Sequence, residues 1–320
     1  MFPTLRRLTI LPLLVLLALT GCGGGSSAEP PAKTADEAVL RVVKGLAADN
    51  PVYLWDALPD SYQKDVNDLI KAFANKIDAG AWDPAFQIGQ RVSKLLRDKK
   101  KFILGHPMMA EVPNRADLEK NWDHVVNMLD TVFNSEIATL EGLKKLDMRR
   151  FFSGTGSRLM SQFSTLSKLA KDMGPEQKQA AEMFEKFKAM KATVVSSSGD
   201  TAKVKMEVAG EQPKEVEFTR IEGKWIPTDL AQGFKGGIAE ARAAIEKITP
   251  EQVAQMKSGV MFASGIVGGV IGPMEQATTQ EEFNAAVEGL KAMFQGGGGL
   301  PFLGGGAGPR PPAPPPEFEK

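Results

Sequence analysis

The chain has 320 residues, and its 39 basic and 39 acidic side chains give a formal net charge of zero at neutral pH. A chain with this balance lacks the basic surface that binds phosphate backbones, which argues against a nucleic-acid-binding protein. Cys22 is the only cysteine, so an internal disulfide is excluded. No unit of roughly 20–50 residues repeats along the sequence, which argues against a solenoid.

The first residues contain the parts of a secretory signal peptide in the expected order. Arg6 and Arg7 supply positive charge, an apolar run from Leu8 to Ala18 follows, and Leu19-Thr20-Gly21-Cys22 ends the segment. The apolar run is too short to span a bilayer, which needs about 20 apolar residues. The last four residues resemble the lipobox of bacterial lipoproteins, whose cysteine receives a diacylglycerol thioether and, after cleavage, an acylated amino group.

This resemblance implies that residues 1–21 are a lipoprotein signal peptide and that lipid on Cys22 anchors the chain to a membrane. Residues 22–33 are rich in Gly, Ser and Pro and are expected to form a flexible tether. No Asp follows the cysteine, which by analogy with enterobacterial sorting favours the outer membrane, facing the periplasm. The inner membrane and the cell surface stay open. The Gly- and Pro-rich residues 296–320 are expected to be a disordered tail.

Between these ends, apolar residues recur with the period of amphipathic helices over 34–191. The clearest apolar stripe consists of Tyr62, Val66, Leu69, Ile70, Phe73 and Ile77. Over 192–228 the pattern changes to an alternation of apolar and charged residues, which predicts a three- or four-stranded antiparallel meander. Helical periodicity returns over 229–295, where we expect C-terminal helices packed on the same domain. The fold class predicted is α+β, a mainly helical domain with a small meander.

The meander and the helical segment before it resemble small bacterial lipoproteins that have a nuclear-transport-factor-like cone fold. The residues that carry the resemblance are Gly223-Lys224-Trp225, which follow Phe218 and Ile221. The helical content predicted for this chain is far larger than in that family. The resemblance implies a curved sheet that wraps on helices around an apolar pocket.

A segment without charged residues extends from Ser258 to Met274. It contains two G-x-x-x-G spacings, Gly265 with Gly269 and Gly268 with Gly272, which let helices approach closely. We expect a helix buried against neighbouring helices, with these glycines at the close crossings. Contact with a membrane or a partner is the alternative.

Residues that could carry chemistry are few. His106 and His124 are the only histidines, and together with Asp123 they lack the spacing of metal ligands, so we expect neither a metal nor a cofactor. The segment Ser153–Ser157 before Arg158 could present backbone N–H groups to an anion, but no strand precedes it, and a helix cap is the expected role.

Two further groups of side chains were considered. Nothing marks the neighbouring Asp56 and Asp60 as an acid–base pair. The aromatic residues that could line a ligand pocket are Trp55, Trp82, Trp122, Trp225, Tyr53 and Tyr62. Aromatic side chains at helical or strand spacing more often belong to the core, so the pocket is the alternative interpretation.

These observations favour binding over catalysis. Modification of Cys22 would leave no thiol nucleophile, and neither histidine has a recognisable partner, so no catalytic residue is assigned. The expected function is a membrane-anchored envelope lipoprotein that acts as a non-catalytic interaction or apolar-ligand-binding module. Its partners would be the membrane and either an envelope protein or an apolar ligand. The alternative is a hydrolase or other enzyme whose site the sequence does not reveal, because catalytic residues assemble from distant positions.

Overall fold

The structure is a computed structural model that describes residues 30–112, 115–169 and 175–295. The predicted signal peptide, the lipobox, most of the tether and the tail 296–320 lie outside the described residues. The described chain is mainly helical and contains one four-stranded antiparallel sheet, which confirms the predicted α+β class and the meander.

Helices precede the sheet and form most of the molecule. They are α1 (Ala35–Ala47), α2 (Val52–Asp56), α3 (Asp60–Lys76), α4 (Ala79–Asp98), α5 (Lys100–Gly105), α6 (Arg115–Phe133), α7 (Leu140–Lys144), α8 (Met148–Ser153), α9 (Thr155–Leu169) and α10 (Pro175–Lys188). Two short 3-10 helices, Pro107–Glu111 and Glu136–Ala138, join some of them. The apolar side chains of α2, α3, α7 and α8 share one core cluster, which includes Trp55 and Phe152.

The sheet follows the chain order. Its strands are β1 (Lys191–Ser198), β2 (Thr201–Glu207), β3 (Lys214–Ile221) and β4 (Lys224–Pro227), each antiparallel to the next. Alternation along β2 places Ala202 and Val204 in a core cluster with α1, while Lys203 pairs with Glu215 of β3 at 3.6 Å. One face of the sheet is therefore covered by α1, as the charged alternation predicts.

Three helices follow the sheet: α11 (Thr228–Glu246), α12 (Pro250–Gln276) and α13 (Gln280–Gln295). The ring of Phe234 in α11 stacks on Tyr62 of α3, with ring centroids 3.7 Å apart. Helix α12 lies along α4, where Arg91 bonds Glu275 at 2.7 Å. Phe283 of α13, only 3% exposed, closes the cluster formed by these last helices and α4.

The expectation that Ser258–Met274 is buried with its glycines at close crossings is wrong for the outer face of α12. Ile271 and Met274 are buried in the cluster with α4, but Met261 and Phe262 are 62% and 58% exposed. A Cβ built on Gly265, Gly269 or Gly272 meets nothing within 4 Å, and on Gly268 it meets only the Arg91 side chain, at 3.8 Å. The reason is that α12 contacts its neighbours along one stripe, and no described element covers the other side.

Among the helices of the described ranges, none combines the length and the apolar character that crossing a membrane requires.

Candidate functional site

An apolar cavity of about 290 Å³ lies between α1, the sheet and the helices that surround them. We call it the apolar cavity. Its lining has no charged side chain and consists of Ala38, Val39, Val42, Val43, Leu54, Trp55, Ala57, Leu58, Val66, Met148, Phe152, Phe187, Met190, Met206, Phe218, Trp225, Ile226, Pro227 and Leu230. Phe187, at 40% exposure, is the most exposed of the large side chains in this lining.

The sequence patterns explain why this space is apolar and why it is not filled. Successive turns of α1 direct Val39 and Val43 into the core with the sheet, and Phe218 of β3 faces them from the opposite side. Ala38 and Ala57 carry only a methyl group, so they leave room between the larger side chains. The result is a wide gap between a helix and a sheet that are in contact elsewhere.

A space of this size between closely packed elements has a physical meaning. Protein interiors contain few voids larger than a water molecule, because atoms lining an empty space lose their dispersion contacts. This space is partly open to solvent, and an apolar molecule that enters it would displace water from apolar side chains. The volume lies near the lower end of the range for small-molecule sites, roughly 300–1,000 Å³. The apolar cavity can therefore hold an apolar group, such as part of an acyl chain.

A second cavity of about 200 Å³ adjoins the first, and we call it the polar cavity. Its polar lining includes Arg41, Asp56, Asp60, Arg149 and Lys224. The Nε and Nη2 atoms of Arg149 both donate to the Asp56 carboxylate at 2.8 Å, and this hydrogen bonding holds the pKa of Arg149 above its ordinary value. The Nζ atom of Lys224 donates to the Asp56 carbonyl at 2.7 Å.

The aromatic candidates divide between the cavities and the core. Trp55 and Trp225 line the apolar cavity, and Tyr53 lines the polar cavity. Trp82 and Trp122 line neither and donate their indole N–H groups to backbone carbonyls at 2.8 and 2.9 Å. Sequence periodicity could not distinguish the aromatic residues that line a cavity from those in the core, because both kinds lie on inward faces.

The structure does not bring the histidines together into a metal site. His106 is buried, and its Nδ1 accepts a hydrogen bond from the Met108 N–H at 3.2 Å. His124 lies on α6, where the neighbouring Asp123 pairs with Lys100 at 2.9 Å. In the described ranges, no three metal-ligating side chains come close enough to hold an ion.

The segment Ser153–Ser157 joins two helices. Gly154 ends α8 and Thr155 begins α9, where the Thr155 hydroxyl bonds the Glu136 carboxylate. Arg158 donates to the same hydroxyl at 3.1 Å. The polar side chains of this junction therefore bond one another, and the helix-cap role stays a prediction.

The structure also reveals a cluster that sequence reasoning missed. The Ser164 hydroxyl bonds the Asp49 carboxylate, and the Lys188 Nζ lies 2.8 Å from Ser164 Oγ and 3.2 Å from Asp49 Oδ1. Ser164 is only 2% exposed. The three residues are far apart in sequence, on the α1–α2 connection, α9 and α10, so no local spacing could have indicated them.

Comparison with protein-family models, with curated proteins and with solved structures gives no match. Support for a function therefore comes from the geometry of the two cavities and from the N-terminal sequence.

Proposed function

We propose that this chain is a membrane-anchored envelope lipoprotein that binds an apolar ligand in the apolar cavity. The observation that supports the proposal most directly is the cavity itself, about 290 Å³ lined by apolar side chains from helices and sheet. Binding to this site needs no catalytic group, which agrees with the lack of a recognisable one in the sequence.

Filling the cavity tests the binding proposal. In Val42→Phe, a ring would occupy space that Val42 leaves open, because this side chain lines both cavities. We expect the chain from residue 22, carrying Cys22→Ala, to bind the apolar dye Nile red and the Val42→Phe variant to bind it about tenfold or more weakly. The measurement is a fluorescence titration.

The matched control is Leu40→Phe, because Leu40 lies on the same helix, is 41% exposed and lines neither cavity. It should bind Nile red as tightly as the parent chain. Ala38→Leu provides a second cavity-filling change if Val42→Phe fails to fold by circular dichroism. Equal dye binding by the parent and by a folded cavity-filling variant would refute the proposal.

The anchoring part of the proposal rests on Leu19-Thr20-Gly21-Cys22. Two or three acyl chains at one residue give stable anchoring, whereas a single chain gives only marginal binding. We expect the intact mass of the mature protein to correspond to loss of residues 1–21 and gain of acyl groups, with the protein in the outer-membrane fraction. Cys22→Ala should release it into the soluble fraction. A mature N-terminus at any other residue would contradict this assignment.

A hydrolase is the second candidate, and the cluster of Asp49, Ser164 and Lys188 is the observation in its favour. A serine hydroxyl 2.8 Å from a lysine amine is an arrangement that can activate a nucleophile. Here, however, the lysine also bonds Asp49, and the serine is only 2% exposed, so its hydroxyl is covered in this structure. We therefore assign the cluster a structural role, in which its hydrogen bonds hold α9 and α10 against the α1–α2 connection.

A further inference from the structure

The apolar and polar cavities are adjacent and share part of their lining. Ala38, Val42, Ala57 and Trp225 line both of them, so these residues stand at the boundary between the two spaces. On one side of this boundary the lining is apolar, and on the other it contains charged groups. A single molecule that extends across it would meet an apolar surface at one end and charges at the other.

The cations of the polar cavity differ in how far their charges are already compensated. Three cationic side chains, Arg41, Arg149 and Lys224, face two carboxylates, Asp56 and Asp60. The charges of Arg149 and Asp56 compensate each other, since the two side chains form two hydrogen bonds. Arg41 bonds Glu37 at 2.6 Å, which leaves Lys224 and Asp60. Asp60 is exposed to solvent, whereas Lys224 is half-buried beside the paired Arg149 and Asp56, so Lys224 is the cation that could meet an anion. Its ammonium has three N–H donors, and the structure shows one of them bonded to the Asp56 carbonyl.

We propose that the ligand is an amphiphile whose acyl chain occupies the apolar cavity and whose anionic headgroup lies in the polar cavity against Lys224. This inference rests on the proposed apolar-ligand binding and adds the class of the ligand. The chemistry is shared by a free fatty acid and by an anionic lipid with one acyl chain. A charge-assisted hydrogen bond from the ammonium to a carboxylate or phosphate oxygen would orient either molecule.

The site also lies close to the proposed anchor along the chain. Pro30 and Pro31 line the polar cavity. Eight peptide units separate Cys22 from Pro30, and fully extended they reach at most about 28 Å. Lipid on Cys22 would therefore hold the polar cavity within that distance of a membrane surface, where amphiphiles are concentrated.

Three amphiphiles with the same chain test the headgroup preference. Dodecanoate, dodecanol and dodecylamine compete with Nile red for the chain from residue 22 that carries Cys22→Ala. We expect dodecanoate to displace the dye at about tenfold lower concentration than dodecanol, and dodecylamine to be the weakest competitor. Equal displacement by dodecanoate and dodecanol would overturn the inference but leave apolar-ligand binding intact. Absence of Nile red binding would instead refute the proposed function.

Substitution of Lys224 identifies the group that recognises the anion. Lys224→Met should remove the preference for dodecanoate over dodecanol while dodecanol still binds, and Lys224→Arg should retain it. Lys44→Met is the control, because Lys44 is exposed on α1 and lines neither cavity. Equal weakening of dodecanoate and dodecanol by Lys224→Met would mean that Lys224 has only a structural role, which overturns the inference.

A final pair of probes separates the two sources of the anion. Dodecanoate presents a carboxylate, and lysophosphatidylglycerol with the same acyl chain presents the phosphate of a membrane lipid. Lys224-dependent displacement of Nile red by lysophosphatidylglycerol supports a membrane lipid as ligand, and displacement by dodecanoate alone supports a free fatty acid. If dodecanol displaces the dye and neither anion does so more strongly, the inference is wrong.

Discussion

At the scale of single residues, Glu222 connects the sheet to α3. It occupies the β3–β4 turn with a φ of 51°, which suits the two-residue turns of β-hairpins. Its carboxylate accepts a hydrogen bond from the Ser61 N–H at 3.0 Å at the start of α3. Hydrogen bonds from the side chain and backbone of Ser61 hold the pKa of Glu222 below its ordinary value.

This contact predicts a pH-dependent stability. A carboxylate whose pKa is lowered by folding stabilises the folded state above its ordinary pKa of 4.5, and the contribution is lost as the pH falls through the lower pKa of the folded protein. We therefore expect Glu222→Gln to lower the thermal midpoint at neutral pH and the difference from the parent to close in acid. Glu217→Gln, at an exposed position of β3, is the control. A difference that stays constant down to acidic pH would contradict this explanation.

The buried cluster around Ser164 gives a second prediction at this scale. Removing its hydroxyl leaves Asp49 and Lys188 with one hydrogen-bonding partner fewer inside the protein. Ser164→Ala should therefore lower the free energy of unfolding by about 1–3 kcal/mol in urea titrations. Ser161→Ala, at an exposed position of the same helix, should change it by less than about 0.5 kcal/mol. A parent-like stability for Ser164→Ala, with loss of a hydrolytic turnover, would favour the enzyme alternative.

At the scale of elements, the sequence predicted which segments are helices or strands better than it predicted what packs against them. Helical and alternating periods depend on neighbouring residues, so they indicated the helices, a meander of three or four strands and the inward face of α3. Whether a face is covered depends on distant elements, and here the prediction failed for the outer side of α12. An apolar pocket was implied by the cone-fold resemblance and was the alternative interpretation of the aromatic residues. Its position could not be predicted, because the gap beside Ala38 and Ala57 arises when separate elements pack.

Substitution of two helical glycines tests whether another element packs closely against the outer face of α12. A Cβ on Gly89 of α4 would lie 2.2 Å from the Phe133 ring, whereas a Cβ on Gly265 of α12 meets nothing within 4 Å. Gly89→Ala should therefore destabilise the protein by about 1–3 kcal/mol through overpacking. Gly265→Ala should stabilise it by about 0.4–1 kcal/mol, since it restricts the unfolded chain. Urea titrations measure both, and destabilisation by Gly265→Ala would indicate that another chain packs on this face.

At the scale of the whole molecule, α3 and α4 connect the sheet to the C-terminal helices. Ile226 of β4 packs with Tyr62 of α3 and Phe234 of α11. At the other end, Ile271 of α12 packs with Leu95 of α4. Since α3 and α4 are consecutive in the chain and each contributes to one of these clusters, loss of one cluster should weaken the other. This arrangement supports the prediction that 229–295 belongs to the same domain as the meander.

The same substitution at both ends tests this cooperativity. Ile226 and Ile271 are 2% and 8% exposed, so replacing either by valine should cost about 0.5–1.5 kcal/mol. In a single domain, Ile226→Val and Ile271→Val each shift one common transition, and the calorimetric enthalpy equals the van't Hoff enthalpy. If the C-terminal helices unfold separately, Ile271→Val shifts a transition that Ile226→Val leaves in place, and the calorimetric enthalpy exceeds the van't Hoff value. We expect one common transition, because separation of α12 from α4 would expose the apolar side chains of α4 that pack against its neighbours.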